Sequence, residues 1–204
     1  MKTLSITKQL IAHIKKLGRG VVFTPKDLLH IASRVLVDKT LSRLVNQEII
    51  IRVTRGVYCY PKKHPVVGVI SPSPDDIAKA VAQNLDQKLQ ISGAEAAHLL
   101  GLSTQVPAKR VYYTDGFTRQ IKIGNQFLQF KHASPKIMAG AGKKSGVILQ
   151  AIRYLGKQAI NDNMVTLIAK QVNDQDQKGL RQLASFAPDW SRPYLNKIYT
   201  NEHE

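Results

Sequence analysis

The side chains best equipped for chemistry in this chain are cationic. Arg34 stands just before, and Lys39 and Arg43 within, a stretch, Val35 to Gln47, in which Val37, Leu41, Leu44 and Val45 fall at i, i+4, i+7 and i+8. That is the spacing of one buried helical stripe. The other face of this predicted helix carries Arg34, Lys39, Thr40, Ser42, Arg43 and Asn46. A guanidinium there can donate two bonds to guanine O6 and N7, while Lys39 and Ser42 can donate to phosphate oxygens. Such a face suits contact with a polyanion, and catalysis has much less to stand on. The six histidines, His13, His30, His64, His98, His132 and His203, show no HExxH pair and no metal-ligand spacing. A single cysteine, Cys59, excludes an internal disulfide and a cysteine-based zinc cluster. The segment Gly140-Ala141-Gly142-Lys143-Lys144-Ser145-Gly146 invites a phosphate-loop reading. It fails as a Walker A motif, whose first glycine would fall at Ile137 and whose Gly-Lys pair is separated from Ser145 by Lys144. We therefore expect no metal, no cofactor and no enzyme.

The charge balance agrees. Over 204 residues, 30 Lys and Arg stand against 14 Asp and Glu, a formal net charge of +16. The excess comes in two blocks: residues 1–65 hold 13 basic and 3 acidic side chains, and residues 107–157 hold 10 basic side chains and one acid, Asp115. A nucleic-acid partner is the first inference from such a distribution. No apolar run approaches the roughly 18 residues of a membrane span. The apolar stretch Ile6 to Leu17 is interrupted by Lys8, His13, Lys15 and Lys16 and has no small-residue cleavage site, so it reads as a folded helix rather than a signal peptide. A cytoplasmic location follows as an expectation.

These side chains need positioning elements. A first helix over Ser5 to Leu17 buries Leu10, Ile11, Ile14 and Leu17 and ends at Gly18 and Gly20. Thr24-Pro25-Lys26-Asp27 is a helix start, with Thr24 as N-cap, Pro25 at the first position and Asp27 in the first turn. After the cationic helix, Ile49 to Val53 and Val57 to Tyr60 are β-rich and meet across Thr54-Arg55-Gly56, a hairpin signal. Three short helices followed by a two-stranded wing describe a winged helix-turn-helix over residues 1–61. In that motif the second helix enters the major groove. Ser33, Arg34, Asp38, Lys39, Ser42 and Arg43 then lie nearest DNA, with Arg52 and Arg55 on the wing. Winged helices also serve as protein-contact modules, which is the competing reading of the same face.

Residues 62–74, with Pro61, Pro65, Pro72 and Pro74 in and around them, read as an extended linker. From residue 75 to 204 the pattern is mixed α+β. A helix runs from Pro74-Asp75-Asp76 to about Leu85 with Ile77, Ala80, Val81 and Leu85 apolar, and a short one fits Gly93 to Leu100. Strands are expected at Arg110 to Tyr113, Arg119 to Ile123 and Gln126 to Lys131, and helices over Gly146 to Leu155, Asn163 to Val172 and Gln177 to Phe186, with Trp190 to Tyr199 packing back as a tail. The whole chain is therefore α+β. Lys109, Arg110, Arg119, Lys122, Lys131, Lys143 and Lys144 are candidates for a second phosphate-contacting surface, against the plainer alternative of a solvated basic face. Tyr112, Tyr113, Phe127 and Phe130 could stack on bases, although on strands they suit a core better.

The stretch Ser92-Gly93-Ala94-Glu95-Ala96-Ala97-His98-Leu99-Leu100-Gly101-Leu102-Ser103-Thr104-Gln105-Val106-Pro107 resembles a known family. So do Gly18-Arg19-Gly20, Phe23-Thr24-Pro25-Lys26-Asp27, Leu41-Ser42-Arg43-Leu44 and Arg55-Gly56-Val57-Tyr58. Their order and spacing are similar to the AbiEi-type antitoxins of type IV toxin–antitoxin systems, over nearly the whole chain to Leu155-Gly156 and more loosely beyond. His98 stands where that family more often has Asn, so no polar role is carried to it. The resemblance implies a winged-helix domain that binds its own promoter as double-stranded DNA and represses the operon; the paired half-sites common among repressors lead us to expect inverted repeats there. It also implies a C-terminal domain that helps counter a nucleotidyltransferase toxin, and it offers no catalytic residues. The alternative is a protein-interaction module that binds an acidic toxin without sequence-specific DNA binding.

Overall fold

The structure is a computed structural model and describes residues 5–66 and 68–200. It is α+β, and the chain divides into two compact units. The first runs to Asp86 and includes Ile121–Gln126; the second comprises Gln87–Gln120 and continues from Phe127.

In the first unit α1 (Ile6–Leu17) buries Leu10 and Ile14, and Gly18, at φ 98°, returns its N–H to the Lys15 carbonyl. A two-residue strand, β1 (Val22–Phe23), follows. The Thr24-Pro25-Lys26-Asp27 start makes a single 3₁₀ turn, Pro25–Leu28. It is held at its head by Asp27 Oδ2, which accepts from the Thr24 N–H at 2.7 Å and the Thr24 hydroxyl at 3.0 Å. Next come α2 (Arg34–Asn46), β2 (Ile51–Thr54) and β3 (Val57–Cys59). The strands form a three-stranded antiparallel sheet in the order β1-β3-β2. Phe23 and Tyr58 stack across it, ring centroids 6.0 Å apart, over a core of Leu10, Ile14, Leu28, Val37, Leu41, Leu44 and Ile50.

Residues 62–74 are more structured than a linker. β4 (Lys62–His64) and β5 (Gly68–Ile70) pair as a hairpin, register Lys62 with Ile70 and Lys63 with Val69. The following helix, α3 (Pro74–Asn84), belongs to the first unit, so the boundary falls after Asp86 rather than before residue 75. Side-chain contacts explain the shift. Lys26 Nζ lies 2.6 Å from Asp86 Oδ2, and Gln83 Nε2 donates to Asp27 Oδ1 at 3.3 Å, tying the end of α3 to the 3₁₀ turn. The β2–β3 turn is equally close: at Gly56, φ 73°, a Cβ would sit 2.6 Å from the Asn84 amide nitrogen. Ile77, Ala80 and Val81 are buried as expected, whereas Leu85 ends the helix and is exposed.

The second unit begins with β6 (Leu89–Ile91) and α4 (Gly93–Leu99). Strands β7 (Arg110–Thr114), β8 (Arg119–Ile123) and β9 (Gln126–His132) join β6 in a four-stranded sheet of order β6-β7-β9-β8, in which β7 runs parallel to β9 and from which Ile121–Gln126 are grouped with the first unit. A short α5 (Pro135–Met138) leads to α6 (Lys144–Ala159), which is broken at Gly156, φ 69°. Then follow α7 (Asp162–Ala169), α8 (Asp174–Leu183) and α9 (Arg192–Thr200). Ala96 and Ala97 of α4, Ile148 and Ile152 of α6, Ile168, Leu180, Leu195 and Ile198 make this unit's core, against which Trp190 packs.

Candidate nucleic-acid interface

On α2 the buried residues are Val37, Thr40, Leu41 and Leu44. At about 100° per residue they define one side of the helix. Val35, Lys39, Ser42 and Asn46 project diametrically opposite; Arg34 with Asp38 lies along one flank and Arg43 along the other. All seven are exposed. Thr40 therefore corrects the sequence reading: 6 % exposed, it joins the core stripe rather than the basic face. A threonine one helical turn from Val37 and Leu44 presents a methyl group to that core.

The predicted DNA-facing residues differ in how they are held. Ser33 is the exposed N-cap of α2, its carbonyl accepting the Val37 N–H at 3.0 Å. Arg34 Nε donates to Asp38 Oδ2 at 2.9 Å, an i,i+4 pair about half exposed on both sides. This pair neutralises Asp38, the one acid among the described side chains of α2. Among the described residues, the side chains of Lys39, Arg43, Arg52 and Arg55 make no hydrogen bond or ion pair. Arg52 on β2 and Arg55 in the turn to β3 are exposed, and that turn spans only Arg55 and Gly56. The first unit thus sets a helix face of positive charge and a charged β-turn on one small domain.

Sequence reasoning overlooked the apolar component of this surface. Val35 and Leu36, in the first turn of α2, are 65 % and 43 % exposed. Their signal was present in their position next to Arg34 and off the buried stripe. Apolar side chains at the head of such a helix can contact a thymine methyl group.

The second set of basic residues divides between side chains with internal partners and exposed ones. Arg110 Nη1 lies 2.5 Å from Glu95 Oε1, and Glu95 is almost wholly buried. Arg119 donates to Gln87 Oε1 at 2.5 Å and lies over the Phe130 ring at 5.0 Å; burial pulls its pKa below the ordinary arginine value. Lys144 donates to the Gln171 carbonyl and sits 3.8 Å from Asp176. These three are internal ties, because folding gives each an acceptor inside the second unit. Lys122 falls in Ile121–Gln126, with the first unit. Lys109, Lys131 and Lys143 are exposed in the second. Of the four aromatic residues considered for stacking, Tyr112 and Phe130 are buried with their rings 5.8 Å apart, and Phe127 is exposed.

Among the described residues no group of three His, Cys, Asp or Glu side chains gathers as a metal site, and no helix is long and apolar enough to cross a membrane. Residues 9–180 match the model of a family of unknown function, DUF6088. The chain belongs to this family. The matched span takes in both units of this DUF6088 member, from α1 into α8. No curated protein matches it. Among solved structures it is similar to the crystal structure of the RV2827C protein from Mycobacterium tuberculosis, at 11 % identity and a TM-score of 0.45, over 100 % of this chain and 79 % of that one.

Proposed function

We propose that the first unit is a winged helix-turn-helix and that the protein is a cytoplasmic, sequence-specific DNA-binding regulator. In this reading it represses its own operon as the antitoxin of a type IV toxin–antitoxin pair and counters a nucleotidyltransferase toxin. The observation that carries the reading is the outward face of α2, where Lys39 and Arg43 are exposed with no side-chain partner among the described residues and Arg34 pairs with Asp38, on the same unit as Arg52 and Arg55. Two further features support it: the element order α1-β1-3₁₀-α2-β2-β3 with sheet order β1-β3-β2, and the concentration of 13 basic against 3 acidic side chains in residues 1–65. Phosphate contacts from Lys39, Ser33 and the wing arginines would set position, and Arg34 and Arg43 would read base edges.

The test pairs two assays in cells. A reporter driven by the chain's own promoter should be repressed by the wild type and released by Arg43→Ala, and co-expression with a nucleotidyltransferase encoded beside it should restore growth. An unrepressed reporter sinks the regulator half; unrelieved toxicity sinks the antitoxin half. A second reading, direct capture of an acidic toxin without sequence-specific DNA binding, draws on the exposed Val35 and Leu36, which suit a protein contact as well as a methyl group. It requires toxin binding that scrambled and native DNA disturb equally.

A further inference from the structure

The second unit contains a cleft of about 650 Å³ whose lining combines apolar Met138, Leu183 and Phe186 with Lys88, Lys143 and Ser145. Its size and mixed lining are those of a small-molecule site. The segment that failed as a Walker A motif forms one wall and launches α6, a helix of 16 residues. Here the Lys143 N–H donates to the Gly140 carbonyl, and the Gly146 and Val147 N–H groups both turn back onto the Lys143 carbonyl. The N–H groups of Lys144 and Ser145 have no backbone acceptor among the described residues. They are the free donors at the positive end of the helix dipole.

A second observation points the same way. Ser145 is 2 % exposed and lines the cleft, and among the described residues its hydroxyl has no hydrogen-bond partner. Under the same turn, Gln90, also 2 % exposed, keeps its Nε2 donor without an acceptor; a Cβ on Gly146 would fall 2.6 Å from it. A buried donor left unpaired is costly; Gln90 Nε2 lies beneath this helix start, and the Ser145 side chain opens on the cleft. The charges are sorted accordingly. Lys144 is turned to Gln171 and Asp176, while Lys143 and Lys88 line the cleft. The acid in the lining, Asp115, already accepts the Lys88 backbone N–H at 2.8 Å. His132 donates Nδ1–H to the Gly116 carbonyl at 2.9 Å, since a carbonyl only accepts, and its Nε2 remains available.

We propose that this cleft binds a small phosphate monoester. The phosphoryl group takes the Ser145 N–H and hydroxyl and the Lys143 and Lys88 ammonium groups. The organic part lies against Met138, Leu183 and Phe186. This assignment stands apart from the reading of α2, because its residues belong to the second unit and none lies on α2 or on the β2–β3 turn.

The test is a ³¹P NMR titration of the full chain with inorganic phosphate and with AMP at fixed ionic strength, on the wild type and on Ser145→Ala, Lys143→Gln and Lys157→Gln. Lys157 is exposed and lies outside the cleft lining, so its variant measures the generic attraction of a +16 chain. The expected result is saturable binding of both probes, AMP the tighter, weakened about tenfold by Ser145→Ala and by Lys143→Gln and unchanged by Lys157→Gln. Thermal melts matching the wild type certify that each variant folds, and Lys143→Gln, at an exposed position, keeps the test open if Ser145→Ala does not. Non-saturating binding, or equal weakening by all three substitutions, would overturn the proposal. AMP binding no tighter than phosphate would overturn the role given to the apolar lining.

Discussion

Replacing Arg110 by Met should destabilise the second unit without weakening DNA binding, and the size of the effect follows from the pair it breaks. Glu95 sits in the first turn of α4 with its side chain 9 % exposed, and Arg110 Nη1 lies 2.5 Å from Oε1 while remaining 34 % exposed. Removing the cation strands a buried carboxylate, which costs about 3–5 kcal/mol at a fully buried pair. Partial exposure of the arginine lets water reach the site, so about 2–3 kcal/mol is the working figure. The assay is urea unfolding followed by tryptophan fluorescence. Trp190 is the single tryptophan of the chain and packs on the second unit's core, so the signal reports that unit alone. With a slope of about 2 kcal/mol per molar urea, the midpoint should fall by roughly 1–1.5 M. Glu95→Gln, which removes the charge but leaves an amide, should lose less, and the double variant should recover about 1 kcal/mol of coupling. An unchanged midpoint in Arg110→Met, or a coupling energy near zero, would refute the account of Arg110 as an internal tie. Weaker DNA binding by a variant that still folds would return it to the second basic surface.

Other expectations follow from the same structure. Burial pushes the Cys59 thiol from its ordinary 9.0 up to about 11, so it should resist a thiol reagent at pH 8 until the protein unfolds. Because the folded pKa is the higher one, this group's contribution to stability is complete below about pH 9 and is lost as pH rises towards 11; denaturation across that window should be less steep in Cys59→Ala. Neutralising Arg52 or Arg55 with Gln should lower DNA affinity for all sequences alike and reduce the salt slope by about 0.9 for each phosphate no longer neutralised. Gly146→Ala should destabilise the second unit by about 1–3 kcal/mol in the fluorescence assay, since the new methyl group would overlap the Gly140 carbonyl.

What could be read from residues alone depended on how local the determining physics was. α1 and α2 were legible because their apolar spacing repeats over three turns and outweighs any single residue. Thr40 escaped because its hydroxyl marks it as polar while its methyl group fits the stripe. β1, with two residues, and β6, with three, are too short to show alternation; only their partners, β3 and β7, make them strands. The prolines around residues 62–74 correctly indicated extended backbone, but the pairing of β4 with β5 is a matter of register that composition does not carry. α3 was legible as a helix, yet nothing in Ile77, Ala80 and Val81 says which core they will join. The basic residues make the same point at the site. Arg43 and Arg55 could be placed by periodicity and turn chemistry, whereas Arg110 and Arg119 met acceptors 15 and 32 residues away, and those pairings exist only after folding.

The central claim is that α2 reads DNA. It is tested most directly by equilibrium binding of the full chain to the duplex upstream of its own gene and to a scrambled duplex, across a salt series, with Arg34→Ala and Arg43→Ala beside the wild type. The account predicts tight binding to the native duplex, lost on scrambling, and a penalty of about 1–3 kcal/mol for each arginine that makes a bidentate base contact. Equal, salt-sensitive binding of both duplexes, unmoved by either substitution, would contradict it.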